Sequence, residues 1–191
     1  MLIFKKDNIN YVFIHIPKNC GKYMRDEIQN NKECEIIKSF WGCEDNLDLA
    51  HIPYAIKNKY IPNNETYIFF TYSRNPYHRI ISAYFFKFHF LNKSISDFQQ
   101  FIIDELSNYN FKAEFNKYFI HFYPQYLFVC DEKYNVVKEN MSVNVTKIED
   151  KFSPPIYDLK QYFTEEVLKI VNKIYENDFV FFGYEMIENL N

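Results

Sequence analysis

Two short stretches of this chain carry residue types and spacings suited to holding an anionic group. The first is Pro17, Lys18, Asn19, Cys20, Gly21, Lys22 and Tyr23, a glycine-bearing turn with two lysines. Backbone N–H groups at a helix start form an anion cradle where a glycine lets the chain approach closely, and Lys18 and Lys22 would add cations at its rim. Taken alone, such a turn is equally an ordinary strand-to-helix connection with surface lysines. The second stretch holds Arg74, with Ser82 eight residues on. A guanidinium offers a planar fork to a phosphate and a serine offers a hydroxyl, so the two suit a second phosphate group. For Arg74 by itself a structural salt bridge is the commoner explanation. Arg79 is expected to be of that plain kind, a helix-surface arginine paired with a nearby acid.

The elements that must position these groups follow from the pattern around them. Residues 11–16 (YVFIHI) read as a buried strand stopped by Pro17. Residues 22–30 turn helical, with Met24 and Ile28 on one side and Arg25, Asp26 and Gln29 facing away. A second strand-turn-helix unit follows, in which residues 66–72 (TYIFFTY) form the strand and Pro76 opens a helix running to about Phe90. Residues 35–40, 126–130 and 143–148 also read as strands, 42–49 as polar and turn-rich, and Pro62, Asn63 and Asn64 as a loop. A short helix is expected from Pro53, another from Ser96 through Leu106, and 113–122 has an ambiguous helical period. Thr164, Glu165 and Glu166 open an amphipathic helix carrying Val167, Leu168, Val171 and Ile174. Strands alternating with helices predict a three-layer, P-loop-like α/β domain, its mostly parallel central sheet flanked by helices and its ligands at the carboxyl ends of the strands. At 191 residues, one domain spanning 1–191 is expected.

Composition narrows the function classes. The net charge of -3 leaves no global basic field, so no nucleic-acid partner is expected and any anion site must be built locally. No window reaches the roughly 18 uninterrupted apolar residues of a membrane span, and Lys5, Lys6 and Asp7 interrupt any signal-like core. A soluble, cytoplasmic protein without signal peptide or anchor is the expectation. Cys20, Cys34, Cys43 and Cys130 lack zinc-site spacing and read as free thiols, with a Cys34–Cys43 bridge as the alternative. Asn64, Asn92, Asn140 and Asn144 head glycosylation sequons of the kind an Asn-rich chain acquires by chance. A triphosphatase fits less well, because the Walker pattern needs a glycine where Ile16 stands and a magnesium-binding hydroxyl where Tyr23 stands.

Taken together, the two stretches resemble a known family, the sulfotransferases that use 3′-phosphoadenosine 5′-phosphosulfate, and in particular the branch that modifies carbohydrates. FIHIPKNCGKYMR, from Phe13, is similar to that family's 5′-phosphosulfate loop, usually written FIHIPKTGGTSLR. TYSRNPYHRIISAY, from Thr71, is similar to its 3′-phosphate motif, close to FVRNPYERLVSAY. Weaker resemblances lie at His51 to Tyr54, His121 to Gln125, Ile148 to Asp150 and Tyr175 to Tyr184.

The resemblance implies a single sulfotransferase-like domain and a role for each matched residue. Lys18 matches the lysine that contacts the transferring sulfuryl group. The backbone of Asn19, Cys20, Gly21, Lys22 and Tyr23 would hold the 5′-phosphate, and Arg74 and Ser82 match the 3′-phosphate ligands. His51 matches the general base for an acceptor hydroxyl, a role its free pKa near 6.5 suits. His121, Tyr123 and Gln125 are candidates to line the acceptor side, although buried packing is the commoner fate of an aromatic residue. A hydroxyl on a glycan is the implied acceptor, and no metal is required. The chain departs from the family pattern at Cys20, Lys22 and Tyr23, which stand for glycine, threonine and serine. Those departures leave open a non-catalytic glycan- or nucleotide-binding module, and a P-loop phosphotransferase is the further alternative.

Overall fold

The chain begins with a hairpin that its charges conceal. β1 (Leu2–Lys6) and β2 (Ile9–Phe13) pair antiparallel, with Lys6 opposite Ile9. Asp7 and Asn8 between them have φ of 51° and 62°, the geometry of a two-residue type I′ turn, whose twist matches that of the strands it joins. The computed structural model describes residues 1–61, 66–112, 115–131, 133 and 143–190. Within these, α1 (Gly21–Asn30), β3 (Glu35–Ser39), the small hairpin β4 (Cys43–Glu44) and β5 (Leu47–Asp48), and β6 (Tyr67–Ser73) follow. Next come α2 (Pro76–Lys87), α3 (Ile95–Asp104), β7 (Val143–Lys147), α4 (Leu159–Tyr162) and α5 (Glu165–Phe182).

The expectation of a mostly parallel central sheet is overturned. The five-stranded sheet has the order β3-β1-β2-β6-β7 and is mixed: β1 runs antiparallel to both β2 and β3, while β2–β6 and β6–β7 are parallel. A two-residue connection can only return the chain antiparallel. Lys5, Lys6 and Asp7, read as an interruption, are the end of a strand and its turn.

Other elements shift for local reasons. Residues 125–128 form a 3-10 turn with Tyr126, Leu127 and Phe128 buried, where a strand over 126–130 was expected; a short apolar run does not reveal its own period. α3 is capped by Ser94, whose hydroxyl accepts from the Asp97 N–H in a capping box, so Ser96 is not its cap. Pro76 occupies the first turn of α2, Thr164 caps α5, and Gly183 at φ 65° ends it. The loop at Pro62, Asn63 and Asn64, the sequons at Asn64 and Asn140, and the start of the 113–122 segment lie outside the described residues.

β1 is buried on both faces. Leu2 and Phe4 join Phe13, Tyr72 and the α1 residues Met24 and Ile28 on one side. Ile3 joins Val12, Ile14, Phe69 and the 120–130 segment on the other. α2, α3 and α5 pack on one another through Tyr77, Ile81, Phe98, Ile102, Leu168 and Val171. Among the described residues no helix is long and apolar enough to cross a membrane.

If the I′ turn sets the register of β1, a β-branched residue should not be tolerated at Asn8. Asn8→Val is expected to cost about 1–2 kcal/mol, read as a lower urea midpoint at unchanged slope; an unchanged midpoint would refute the assignment.

Candidate functional site

The parallel pairing of β2 with β6 sets their carboxyl ends side by side. Beyond the ladder, the Ile14 N–H donates to the Phe70 carbonyl at 3.0 Å and the Thr71 hydroxyl donates to the Ile14 carbonyl at 2.6 Å. The chain leaving β2 therefore passes through Lys18 and Cys20 close to where the chain leaving β6 passes through Arg74. A cavity of about 560 Å³ opens there. Lys18, Cys20, Gly21, Lys22 and Tyr23 line it from the first stretch, and Arg74 and Ser82 line it from the second. His51 and His121 also line it, so most of the residues picked from the sequence meet in one place.

The loop owes its shape to two left-handed residues, Lys18 at φ 68° and Cys20 at φ 56°. Cys20, which stands where the resembled motif has glycine, therefore bears a conformation that glycine adopts without a Cβ penalty. Gly21 is required for a different reason: a Cβ there would overlap the His15 imidazole. α1 begins at Gly21 with no side-chain cap and no acid in its first turn, so its leading N–H groups keep their capacity for an anion.

Three cations converge on this loop. Arg74, buried, donates from Nη1 to the Lys18 carbonyl at 3.2 Å and from Nη2 to the Pro155 carbonyl at 2.7 Å, while its Nε has no partner. Lys18 Nζ lies 3.7 Å from the Phe86 ring centroid. Burial, and then the charge of Arg74, lower the Lys18 amine to about 8. Arg79 is not the surface residue expected. It is fully buried, donating from Nε to the Pro17 carbonyl at 3.0 Å and from Nη2 to the His121 carbonyl at 3.2 Å. Arg25 is likewise buried instead of facing away from α1. Helical periodicity treats an arginine as a surface residue; here backbone carbonyls, invisible in the sequence, supply its partners.

Asn19 and Gln125 are in the interior and do not line the cavity. Asn19 Nδ2 donates to the Tyr72 carbonyl at 2.6 Å and to Gln125 Oε1 at 2.7 Å. Gln125 Oε1 also accepts from the Arg74 N–H at 2.9 Å, and its Nε2 donates to the Arg74 carbonyl at 2.8 Å. Asp178 underlies the network, accepting from the Gln125 and Tyr126 N–H groups at 2.8 Å each. Burial pushes its carboxyl up to about 6, against the pull of Arg79. Tyr123 is buried too, its hydroxyl 3.0 Å from that of Tyr109. Of the residues assigned to the acceptor side, only His121 reaches the cavity.

His51 stands between two other histidines, its ring centroid 4.4 Å from His15 and 5.5 Å from His121. Its Nδ1 is 2.7 Å from the His15 carbonyl. A carbonyl only accepts, so Nδ1 carries the hydrogen and Nε2 keeps the lone pair. Burial lowers His51 to about 3, although the hydrogen bond to the His15 carbonyl opposes the shift. Burial and the neighbouring His51 and Lys18 lower His121 to about 3 as well. The free-imidazole value near 6.5 is thus not the value His51 has in the fold. Among the described residues no group of three or more His, Cys, Asp or Glu is arranged to hold a metal ion.

Comparison with protein-family models, with curated proteins and with solved structures finds no match.

The histidines give acid stability a definite sign. The unfolded chain takes up protons below about 6.5 that folded His51 and His121 refuse until about 3. Their contribution is complete above the unfolded value and is lost as pH falls toward the folded one. Asp178, raised to about 6, acts oppositely, its contribution fading as pH rises through that value. With His15 and His78 also lowered by burial, four histidines oppose one carboxyl. Tm is expected to fall between about pH 7 and about pH 5, and His51→Asn should flatten the slope. A Tm independent of pH over that interval would contradict these protonation states.

Proposed function

We propose that this protein is a sulfotransferase that uses 3′-phosphoadenosine 5′-phosphosulfate and carries the sulfuryl group to a hydroxyl of a carbohydrate acceptor. One observation carries the reading: Lys18, Arg74 and Ser82, drawn from two separate strand-turn-helix units, line one cavity at the uncapped start of α1. Among the described residues the ion pairs are Lys6–Glu33, Lys59–Glu44 and Lys93–Asp97, and none involves these cations. Cations drawn out of water without a carboxylate carry an unfavourable charge that an arriving anion relieves.

The residues present fit such a cofactor. Arg74 is buried with its Nε unpartnered, and Ser82 lines the same cavity; these two would hold the 3′-phosphate. The leading N–H groups of α1, with Lys22, would hold the 5′-phosphate, with the lysine charge in place of the hydroxyls that Lys22 and Tyr23 lack. When bound, the cofactor supplies an activated sulfuryl group. Lys18, steadied on Phe86, would hold charge at the leaving oxygen. His51 would accept the acceptor proton at Nε2. Its basicity is low because its surroundings are dry and cationic, and a bound anion beside Lys18 would raise it. Cys20, Cys34, Cys43 and Cys130 are all unpaired, which accords with action in the reducing cytoplasm. The low basicity of His51 and the strained Cys20 favour one other reading, a non-catalytic module that binds nucleotide or glycan.

Lys18→Ala is expected to lower sulfate transfer by about 10²- to 10³-fold with the fold retained; a fully active variant would sink the assignment. Free 3′,5′-bisphosphoadenosine at 100 times its Kd should stabilise the protein by about 2.7 kcal/mol, and Arg74→Ala should remove that effect. Stabilisation by ATP with magnesium in its place would indicate a phosphotransferase, and bisphosphate binding without transfer to any acceptor would indicate the module.

A further inference from the structure

Part of the cavity lining is not used by the phosphate-holding residues: Trp41, Gly42, Cys43 and Asp48, from the segment around the β4–β5 hairpin. Trp41 is the single tryptophan of the chain and is 54% exposed. Large exposed aromatics at a cavity mouth are informative when something holds them in place, and here a buried cation does. The Arg25 guanidinium lies 4.0 Å from the indole centroid. The same side chain donates from Nη2 to the Phe40 carbonyl and to the Ser39 hydroxyl, both at 2.8 Å, fixing the two residues that lead into Trp41. The indole thus surrenders little freedom when a ligand arrives.

Asp48 supplies the second feature. Its Oδ1 accepts from the Ala50 N–H at 2.9 Å, which orients the carboxylate at the cavity wall. A carboxylate has capacity for more hydrogen bonds than that one. This part of the lining therefore pairs a flat apolar face with a charged hydrogen-bond acceptor.

The charges decide between ligand classes. A cationic ligand would meet Lys18, Lys22 and Arg74 in the same cavity, and Arg25 behind the indole. An anionic group would be drawn to those cations and repelled from Asp48. A planar phenol could stack but offers Asp48 a single donor. A neutral sugar ring has a C–H face for the indole and several hydroxyl donors for the carboxylate, each a charge-assisted bond. We propose that the Trp41–Asp48 part of the cavity binds a neutral sugar ring, stacked on Trp41 and hydrogen-bonded to Asp48, as the acceptor subsite; the acceptor role rests on the sulfotransferase reading.

Because Trp41 is the only tryptophan, its emission reports on this part of the cavity alone. Lactose, cellobiose and N,N′-diacetylchitobiose are titrated while Trp41 emission is followed, and calorimetry compares the same sugars with a uronate-bearing disaccharide and with 4-methylphenol. At least one neutral disaccharide should change the emission saturably, and its affinity should fall about tenfold or more in Asp48→Asn and in Trp41→Ala. Silence with all three neutral sugars overturns the proposal, as does tighter binding of the uronate or the phenol, or an affinity unchanged in both variants. Thermal shift with 3′,5′-bisphosphoadenosine separates this from the functional reading. A bisphosphate shift with silent sugars refutes the sugar site and leaves the sulfotransferase reading standing. Sugar binding with no bisphosphate shift keeps the sugar site and overturns its acceptor role.

Discussion

Three distant stretches of chain meet on the carboxamide of Gln125, which is wholly buried. Its oxygen receives the Asn19 amide and the Arg74 N–H, and its nitrogen donates to the Arg74 carbonyl and to Asp178 Oδ2. A buried network of this kind is close to all-or-none, because losing one member leaves several dry polar groups without partners. It therefore locks the loop after β2 to the chain after β6 at a fixed separation. The bond from Arg74 to the Lys18 carbonyl then sets the two cations relative to each other. The cavity is a consequence of that lock.

Such a site concentrates positive charge, with Glu149 acting on Arg74 and Asp178 on Arg79. Lys18, Arg74 and Arg79 converge on one loop, and the histidines among them are kept neutral by burial. Neutral imidazoles add no further repulsion, which lets the fold hold the cations close together. Burial of Arg74 and Arg79 keeps the dielectric around them low. The same low dielectric magnifies the attraction for an anion. Asp48 and the braced Trp41 line the same cavity.

The candidate anion-binding residues were legible because their signals are local. A glycine at a strand-to-helix turn with flanking lysines, and an arginine and a serine spaced along the next such unit, need no knowledge of the fold to be noticed. The roles of Gln125, Arg79 and Arg25 were not legible. Each bonds backbone carbonyls or N–H groups brought near by folding, and a periodicity argument sends a charged residue to the surface by default. β1 was hidden for a related reason: Lys5, Lys6 and Asp7 look like an interruption until a left-handed turn makes them a strand end.

By itself, then, the sequence determined the local units: the strand and helix around each candidate stretch, the helix starts at Pro76 and Thr164, and which side chains could hold an anion. Those depend on interactions within a few residues. Only the tertiary structure decided the antiparallel β1, the placement of both units at one sheet edge, the withdrawal of Asn19 and Gln125 into the interior, and the depressed basicity of His51. These depend on pairing and burial between residues far apart in the chain, where dry surroundings and long-range hydrogen bonds outweigh what a residue prefers alone.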